Sequence, residues 1–359
     1  MPDLPSAIRV HLDAISDGVG ILQHAIGRTG DPAHGYCSDD VARALELDLM
    51  HARQLGWAAV SARARSNLQF LADAYVSGER SFRNFRSVEG VWRDQAGSED
   101  CQGRVTLALG SVLVYCRDKE MVAPARALLL EILPGIDRLN SPRAIASTIL
   151  GLEAALDAGL GEVREAHARL AHRLLAAFDA TAPGWYWPET VLTYENGLLP
   201  RALISAGRRL GLPTMTVVGL RSLDWLLEIQ TAPAGHLSPV GNGWWPRGGP
   251  RSEFDQQPIE ATALLRACGA ALAATGDRKY AGAMEQAFEW FLGANDLGLP
   301  LVDPARGAGC DGLTAFGVNV NEGAESTLMW LIAVEQIRLL QGAPTKRAAK
   351  PTAPAAFLA

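Results

Sequence analysis

Carboxylates recur in this chain in short polar clusters where they could act together. Asp39 and Asp40 close the cluster His34-Gly35-Tyr36-Cys37-Ser38-Asp39-Asp40, and Glu99 and Asp100 stand in Ser98-Glu99-Asp100-Cys101-Gln102-Gly103-Arg104. Glu195 lies in Tyr194-Glu195-Asn196-Gly197. Asp255 and Glu260 lie in Phe254-Asp255-Gln256-Gln257-Pro258-Ile259-Glu260, and Glu322 and Glu325 in Asn319-Val320-Asn321-Glu322-Gly323-Ala324-Glu325. A sixth cluster, Asn140-Ser141-Pro142-Arg143, has amide, hydroxyl and arginine but no acid. Acids crowded around one cavity split their pKa values, so that one stays protonated while another is ionised. Such a pair can give a proton to a leaving oxygen and take one from an attacking water.

Aromatic residues accompany these acids. Phe82, Phe85 and Trp92 follow the first cluster, Trp185, Tyr186 and Trp187 precede Glu189, and Trp244 and Trp245 precede Arg247. About half of such residues belong to packing, since aromatic side chains dominate cores. Tryptophans in Gly- and Pro-rich loops beside acids also suit a sugar, whose C–H faces stack on rings. Its hydroxyls bond to Asp, Glu, Asn, Gln and Arg. Glycosidic cleavage needs two carboxyl groups of opposite protonation.

Helices must position these groups. The clusters recur at roughly 40 to 70 residues, the spacing of a repeated supersecondary unit. Five of the six introduce a run of small and apolar residues: Val105 to Tyr115, Ala144 to Leu156, Leu198 to Ala206, Ala261 to Ala274 and Ser326 to Val334. A helix apolar on all sides must be covered on all sides. Between them lie amphipathic segments, Ser61 to Tyr75, Ala123 to Ile136, Val163 to Phe178, Thr216 to Ile229 and Tyr280 to Leu292, and more weakly Ile8 to Ala25. Their apolar residues recur at three- and four-residue steps. Buried and amphipathic helices in alternation predict an all-α fold. Its form is an (α/α)6 toroid of six helical hairpins, with long loops at the N-terminal ends of the inner helices. An irregular all-α arrangement or an open solenoid is the plainer alternative.

Helix capping explains any single acid at these starts, Asp39 or Glu99 included, because side-chain oxygens satisfy orphan N–H groups. The set is richer in acids and arginines than capping requires. Pro258 fits the first turn of a helix and leaves Asp255 just before it. Glu322 and Glu325, three apart, are expected on one helical turn.

Composition narrows the function classes. The 359 residues are 48% hydrophobic and 20% charged with a net charge of −6, which supports a large core and argues against nucleic acid held through phosphates. The five cysteines include no C-x-x-C pair. With no signal-like N-terminus, they predict a reduced, cytoplasmic protein. No apolar run reaches membrane-spanning length. Phosphate-cradling, H-E-x-x-H and G-x-S-x-G motifs are absent, and neither a metal nor a cofactor is expected. His34 and His236 lie in loops at the same end and are secondary acid–base candidates. Residues 1–341 read as one barrel domain, with 342–359 as a disordered tail.

The strings G-Y-C-S-D-D-V-A-R-A-L (35–45), G-S-E-D-C-Q-G-R (97–104), W-Y-W-P-E (185–189), F-D-Q-Q-P-I-E-A (254–261) and N-E-G-A-E-S-T-L (321–328) resemble the six-hairpin glycosidase superfamily. Within it they are similar to bacterial glycosyltransferase- or glycosidase-associated proteins, and the resemblance covers about residues 5 to 341. It implies a toroidal protein that handles a short oligosaccharide or glycoside, with its site at the inner-helix starts and possible association with a glycosyltransferase. By position, Asp40, Asp100, Glu195, Asp255 and Glu322 match the catalytic layout. The cluster at Arg143 departs from it by lacking an acid.

The leading expectation is an inverting glycoside hydrolase, or a closely related phosphorolytic enzyme, with Asp100 and Asp255 as acid and base. Tyr36, Asp39, Arg43, Trp92, Glu99, Arg104, Arg143, Trp187, Glu189, Tyr194, Asn196, Trp245, Arg247, Gln256, Gln257, Asn321 and Glu325 are the expected substrate-binding residues. A sugar epimerase or isomerase is the first rival, and a non-catalytic glycan- or glycosyltransferase-binding protein the second. Known toroidal isomerases use histidines projecting from inner helices, which are few here.

Overall fold

Proline, serine and glycine set the helix boundaries. Ser98 and Ser141 cap helices through their side chains, Pro142, Pro213 and Pro258 occupy first turns, and Gly211 and Gly276 stop helices in the left-handed conformation, where a Cβ would be strained. The computed structural model describes Leu4 and residues 7–180 and 182–342. The expected tail from residue 343 onward lies outside the described residues. Among the described residues there are twelve α-helices. They are α1 (Val10–Ala14), α2 (Ser38–Leu55), α3 (Trp57–Ala74), α4 (Glu99–Tyr115), α5 (Lys119–Ile132) and α6 (Pro142–Asp157), then α7 (Arg164–Ala177), α8 (Leu198–Leu210), α9 (Pro213–Ile229), α10 (Pro258–Thr275), α11 (Lys279–Phe291) and α12 (Ala324–Gln341). Strands are short, apart from the antiparallel pair β1 (Leu22–Ile26) and β2 (Thr29–Cys37). The fold class is all-α.

The described residues divide into two units, 12–172 and 173–342 with 7–11. In the first, α4 packs between α2 and α6, with α3 covering α2 and α5 covering α4. In the second, α10 packs between α8 and α12, with α9 covering α8 and α11 covering α10. The central helices are buried nearly all round: α2 buries an unbroken run from Asp40 to His51, whereas α3 buries one stripe through Val60, Ala64, Leu68 and Leu71.

Small residues let the central helices touch backbone to backbone. A Cβ on Gly103 would stand 2.7 Å from the Ala144 carbonyl oxygen, and one on Gly151 would stand 2.5 Å from that of Thr106. Gly151→Ala is therefore expected to push α4 and α6 apart and lower stability by about 2 kcal/mol. Chemical denaturation would measure this as a lower midpoint at unchanged slope.

Two expectations are corrected. Ile8 to Ala25 is not one helix: α1 stops at Ala14, and a turn follows in which Asp17 Oδ1 accepts the N–H groups of Val19 (2.7 Å) and Gly20 (3.0 Å) before β1 begins. Asp and Gly offer the backbone this local alternative to helical bonding. Glu322 and Glu325 do not share a turn. Gly323 is extended, its N–H bonds to Asp311 Oδ1 at 3.0 Å, and α12 begins only at Ala324.

Candidate active site

In the first unit, the helix starts bind one another. Asn84 reaches the start of α2, where its Nδ2 donates to Asp39 Oδ2 (3.0 Å) and its Oδ1 accepts the Asp39 N–H (3.3 Å). Arg104, from α4, lies 3.4 Å from the other Asp39 oxygen. Asp40 is buried and accepts from Arg43 Nη1 at 2.8 Å, one turn along α2. Glu99 Oε2 accepts the N–H groups of Asn140 and Ser141, both at 2.6 Å, and Ser141 Oγ donates to Asp100 Oδ1 at 2.8 Å. The cluster that lacks an acid is thus served by the acids of the preceding one. Arg143 is buried in the first turn of α6. Tyr36 is also buried, its hydroxyl donating to Asp17 Oδ2 at 2.5 Å. Trp92 packs edge-on against Phe70 at 5.3 Å with Arg86 over its ring.

The second unit presents two acids in the same unusual way. Glu195 (φ 49°) and Asp255 (φ 61°) are left-handed non-glycine residues just before α8 and α10, the adjacent central helices. Each is followed by a fully buried amide, Asn196 and Gln256. Asn196 donates its N–H to Glu260 Oε2 (3.0 Å) and its Nδ2 to Glu260 Oε1 (3.0 Å). The latter oxygen also accepts from Gln230 Nε2 at 3.2 Å. Gln256 accepts from Trp290 Nε1 (3.1 Å) and donates to Asp296 Oδ2 (2.5 Å), while its backbone exchanges two hydrogen bonds with Leu313. The buried amides anchor the chain and the strained neighbours carry the acids. Glu195 is half-buried and Asp255 exposed. Strain of this kind costs about 1–3 kcal/mol per residue and clusters at functional sites.

Asp296 is the hub of the Asp255 anchor, and its position so far along the chain gave the sequence no signal of that role. It also accepts from Ser238 Oγ (2.8 Å) and meets His236 Nε2 at 2.9 Å. Burial pushes its carboxyl up, but hydrogen bonds from Gln256, His236 and Ser238 outweigh this and hold it below the ordinary carboxylate value. A lowered folded-state pKa contributes stability that is present above the unfolded value of about 4 and lost as pH falls through the folded one. Asp296→Asn is expected to cost about 2 kcal/mol at neutral pH, with the gap to wild type closing in acid. Thermal melts from pH 7 to pH 3 would check this, and a gap independent of pH would contradict it.

Other expected site residues have structural partners. Glu322 is buried in a forked ion pair with Arg306 Nη2 (2.6 and 2.8 Å), and its carbonyl meets His11 Nε2 at 2.8 Å. Asn321 accepts the Asp311 N–H through its carbonyl at 2.8 Å, and Glu325 lies in the first turn of α12. Trp187 is buried and donates to Glu189 Oε2 at 3.2 Å. Trp245 packs edge-on against Trp185 at 5.7 Å and donates to the Gly249 carbonyl, leaving its neighbour Trp244 as the exposed ring. Arg247 is exposed and its backbone N–H bonds to Thr190; Tyr194 and Gln257 are half-buried. Among the described residues, no cluster of three or more His, Cys, Asp or Glu is placed to hold a metal ion, and no helix is long and apolar enough to cross a membrane.

No family model matches the sequence, and no curated protein does. Solved structures do match. Cellobiose 2-epimerase from Bacillus thermoamylovorans B4167 has a TM-score of 0.71 at 11% identity, over 90% of this chain and 95% of that one. The GH76A α-1,6-mannanase from Salegentibacter sp. HEL1_6 has a TM-score of 0.63 at 10% identity, over 93% and 98%. An inactive variant of that mannanase, altered at two adjacent aspartates and in complex with α-1,6-mannotetrose, has a TM-score of 0.62 at 10% identity, over 92% and 96%. At such identities the likeness concerns the fold alone: the chain has the (α/α)6 toroid fold that these structures share.

Proposed function

We propose that this protein is a carbohydrate-active enzyme, an inverting glycoside hydrolase acting on a short oligosaccharide. The observation that carries the reading is the pair of strained acids, Glu195 and Asp255, each followed by a buried amide at the starts of neighbouring central helices. One is half-buried and the other exposed. Half-buried Glu195 is suited to protonate the leaving oxygen. Exposed Asp255 is suited to take a proton from the water that attacks the anomeric carbon. Asp100, paired with Asp255 in the sequence expectation, is proposed to be required for turnover as well, with Asp100→Asn as its test. Glu322 is proposed to hold its loop through Arg306. Cytoplasmic residence, in keeping with the buried cysteines Cys37, Cys101, Cys116 and Cys268, and association with a glycosyltransferase remain parts of the proposal.

A second reading, sugar epimerisation, is favoured by the half-exposed His236–Asp296 pair and by the epimerase match. It is disfavoured because none of the starts of α8, α10 and α12 carries a histidine. Incubation with cellobiose and with α-1,6-mannotetraose in D2O separates the two. Hydrolysis releases shorter sugars without deuterium at carbon. Epimerisation incorporates deuterium at C2 and releases nothing shorter, and that result would overturn the proposal.

A further inference from the structure

We infer that Trp244 and Phe316, carried on two loops hydrogen-bonded to the Asp255–Gln256 segment, form stacking subsites for pyranose rings, so that the substrate is a chain extending beyond the two sugars of the cleaved bond. The inference rests on the hydrolase reading. Phe316 is completely exposed (102%), at the turn between the paired strands Gly312–Thr314 and Gly317–Asn319, and Trp244 is 43% exposed. Apolar side chains exposed singly are ordinary on a surface; these two are set apart by the loops that carry them.

The chain around Trp244 separates two successive tryptophans. Trp245 is packed, while Trp244 is turned out on a left-handed backbone, φ 63°. An unfavourable conformation is kept here at a residue whose ring makes little use of the core.

Both rings ride on loops hydrogen-bonded to the Asp255–Gln256 segment. On one side the Asn242 N–H donates to the Asp255 carbonyl at 3.0 Å, and the Ser252 N–H donates to the Trp244 carbonyl at 3.0 Å. On the other, Gln256 and Leu313 exchange backbone bonds at 3.0 and 2.9 Å, and Leu313 belongs to the hairpin that ends in Phe316. The strained acid and the two exposed rings thus belong to one hydrogen-bonded loop assembly.

The chemistry favours a sugar over a protein partner. A protein interface has a contiguous apolar centre. Here the apolar exposure is discontinuous: Trp244 stands between Gly243 and the packed Trp245, and Phe316 between Ala315 and Gly317, with Val320 exposed four residues on. Such rings offer a flat apolar face to the C–H side of a pyranose and leave its hydroxyls to water and to the loop backbone.

Binding can be read apart from turnover by calorimetric titration of the full chain carrying Asp255→Asn. The probes are cellobiose against cellotetraose, and α-1,6-mannobiose against α-1,6-mannotetraose. Adding Trp244→Ala or Phe316→Ala is expected to reduce the preference for the bound series' tetrasaccharide over its disaccharide by about tenfold each. Val217→Ala, exposed on α9, is the control and should leave that preference unchanged. A preference within twofold of the parent in both aromatic variants, or no binding of any of the four sugars, would overturn the inference. Failure of the wild type to release shorter sugars would instead overturn the hydrolase reading, and the titration would still report on the rings.

Discussion

Replacing Asp255 with Asn is expected to lower kcat by about a thousandfold, the middle of the range for loss of a general base, with little change in Tm. The side chain is exposed and its fold-holding contacts are made by neighbours: the backbone carbonyl of Asp255 receives the Asn242 N–H, and Gln256 anchors the segment through Trp290, Asp296 and Leu313. Asparagine preserves shape and tolerates the left-handed backbone. A loss of activity without loss of stability therefore separates a chemical role from a structural one. Retention of more than a tenth of wild-type kcat would contradict the role given to Asp255.

Glu260→Ala is expected to fail differently. Glu260 is 2% exposed, and its two oxygens accept the Asn196 N–H, the Asn196 side-chain amide and the Gln230 amide. Removing this acceptor strands several buried donors, costing about 3 kcal/mol and roughly 4 °C in Tm. Activity should fall too, because the strained Glu195 depends on Asn196 for its position. Glu260→Gln keeps one acceptor oxygen and should lie between wild type and Glu260→Ala. Differential scanning calorimetry with activity measured on the same samples would check both, and an unchanged Tm in Glu260→Ala would contradict the anchoring role.

The fold was largely legible because two physical signals agree. Helices such as α10 and α12 are small and apolar on every side, which demands complete burial, and α9 and α11 carry a single apolar stripe, which demands a covered face. Polar clusters between them then mark the helix starts. The failure at Ile8 to Ala25 is instructive: periodicity there is weak, and the Asp17 turn overrides it with local side-chain hydrogen bonds. The individual acids were less legible, since capping, bridging and catalysis use the same residue types. Glu99 bonds the N–H groups of a distant cluster, Glu322 is committed to Arg306, and Asp255 is exposed. Those fates depend on contacts between residues tens of positions apart. The choice between Trp244 and Trp245 is of the same kind, because adjacent identical residues carry no signal of which one points inward.

The central claim is that Glu195 and Asp255 act as acid and base in hydrolysis with inversion. Proton NMR of the anomeric signals in the first minutes of cleavage tests it most directly, before mutarotation mixes the products. The account predicts that a cleaved β-linked substrate such as cellotetraose first yields the α-anomer, and that an α-linked one such as α-1,6-mannotetraose first yields the β-anomer. Initial product of the same anomeric configuration as the bond cleaved, or a C2-epimerised sugar with no cleavage, would contradict it.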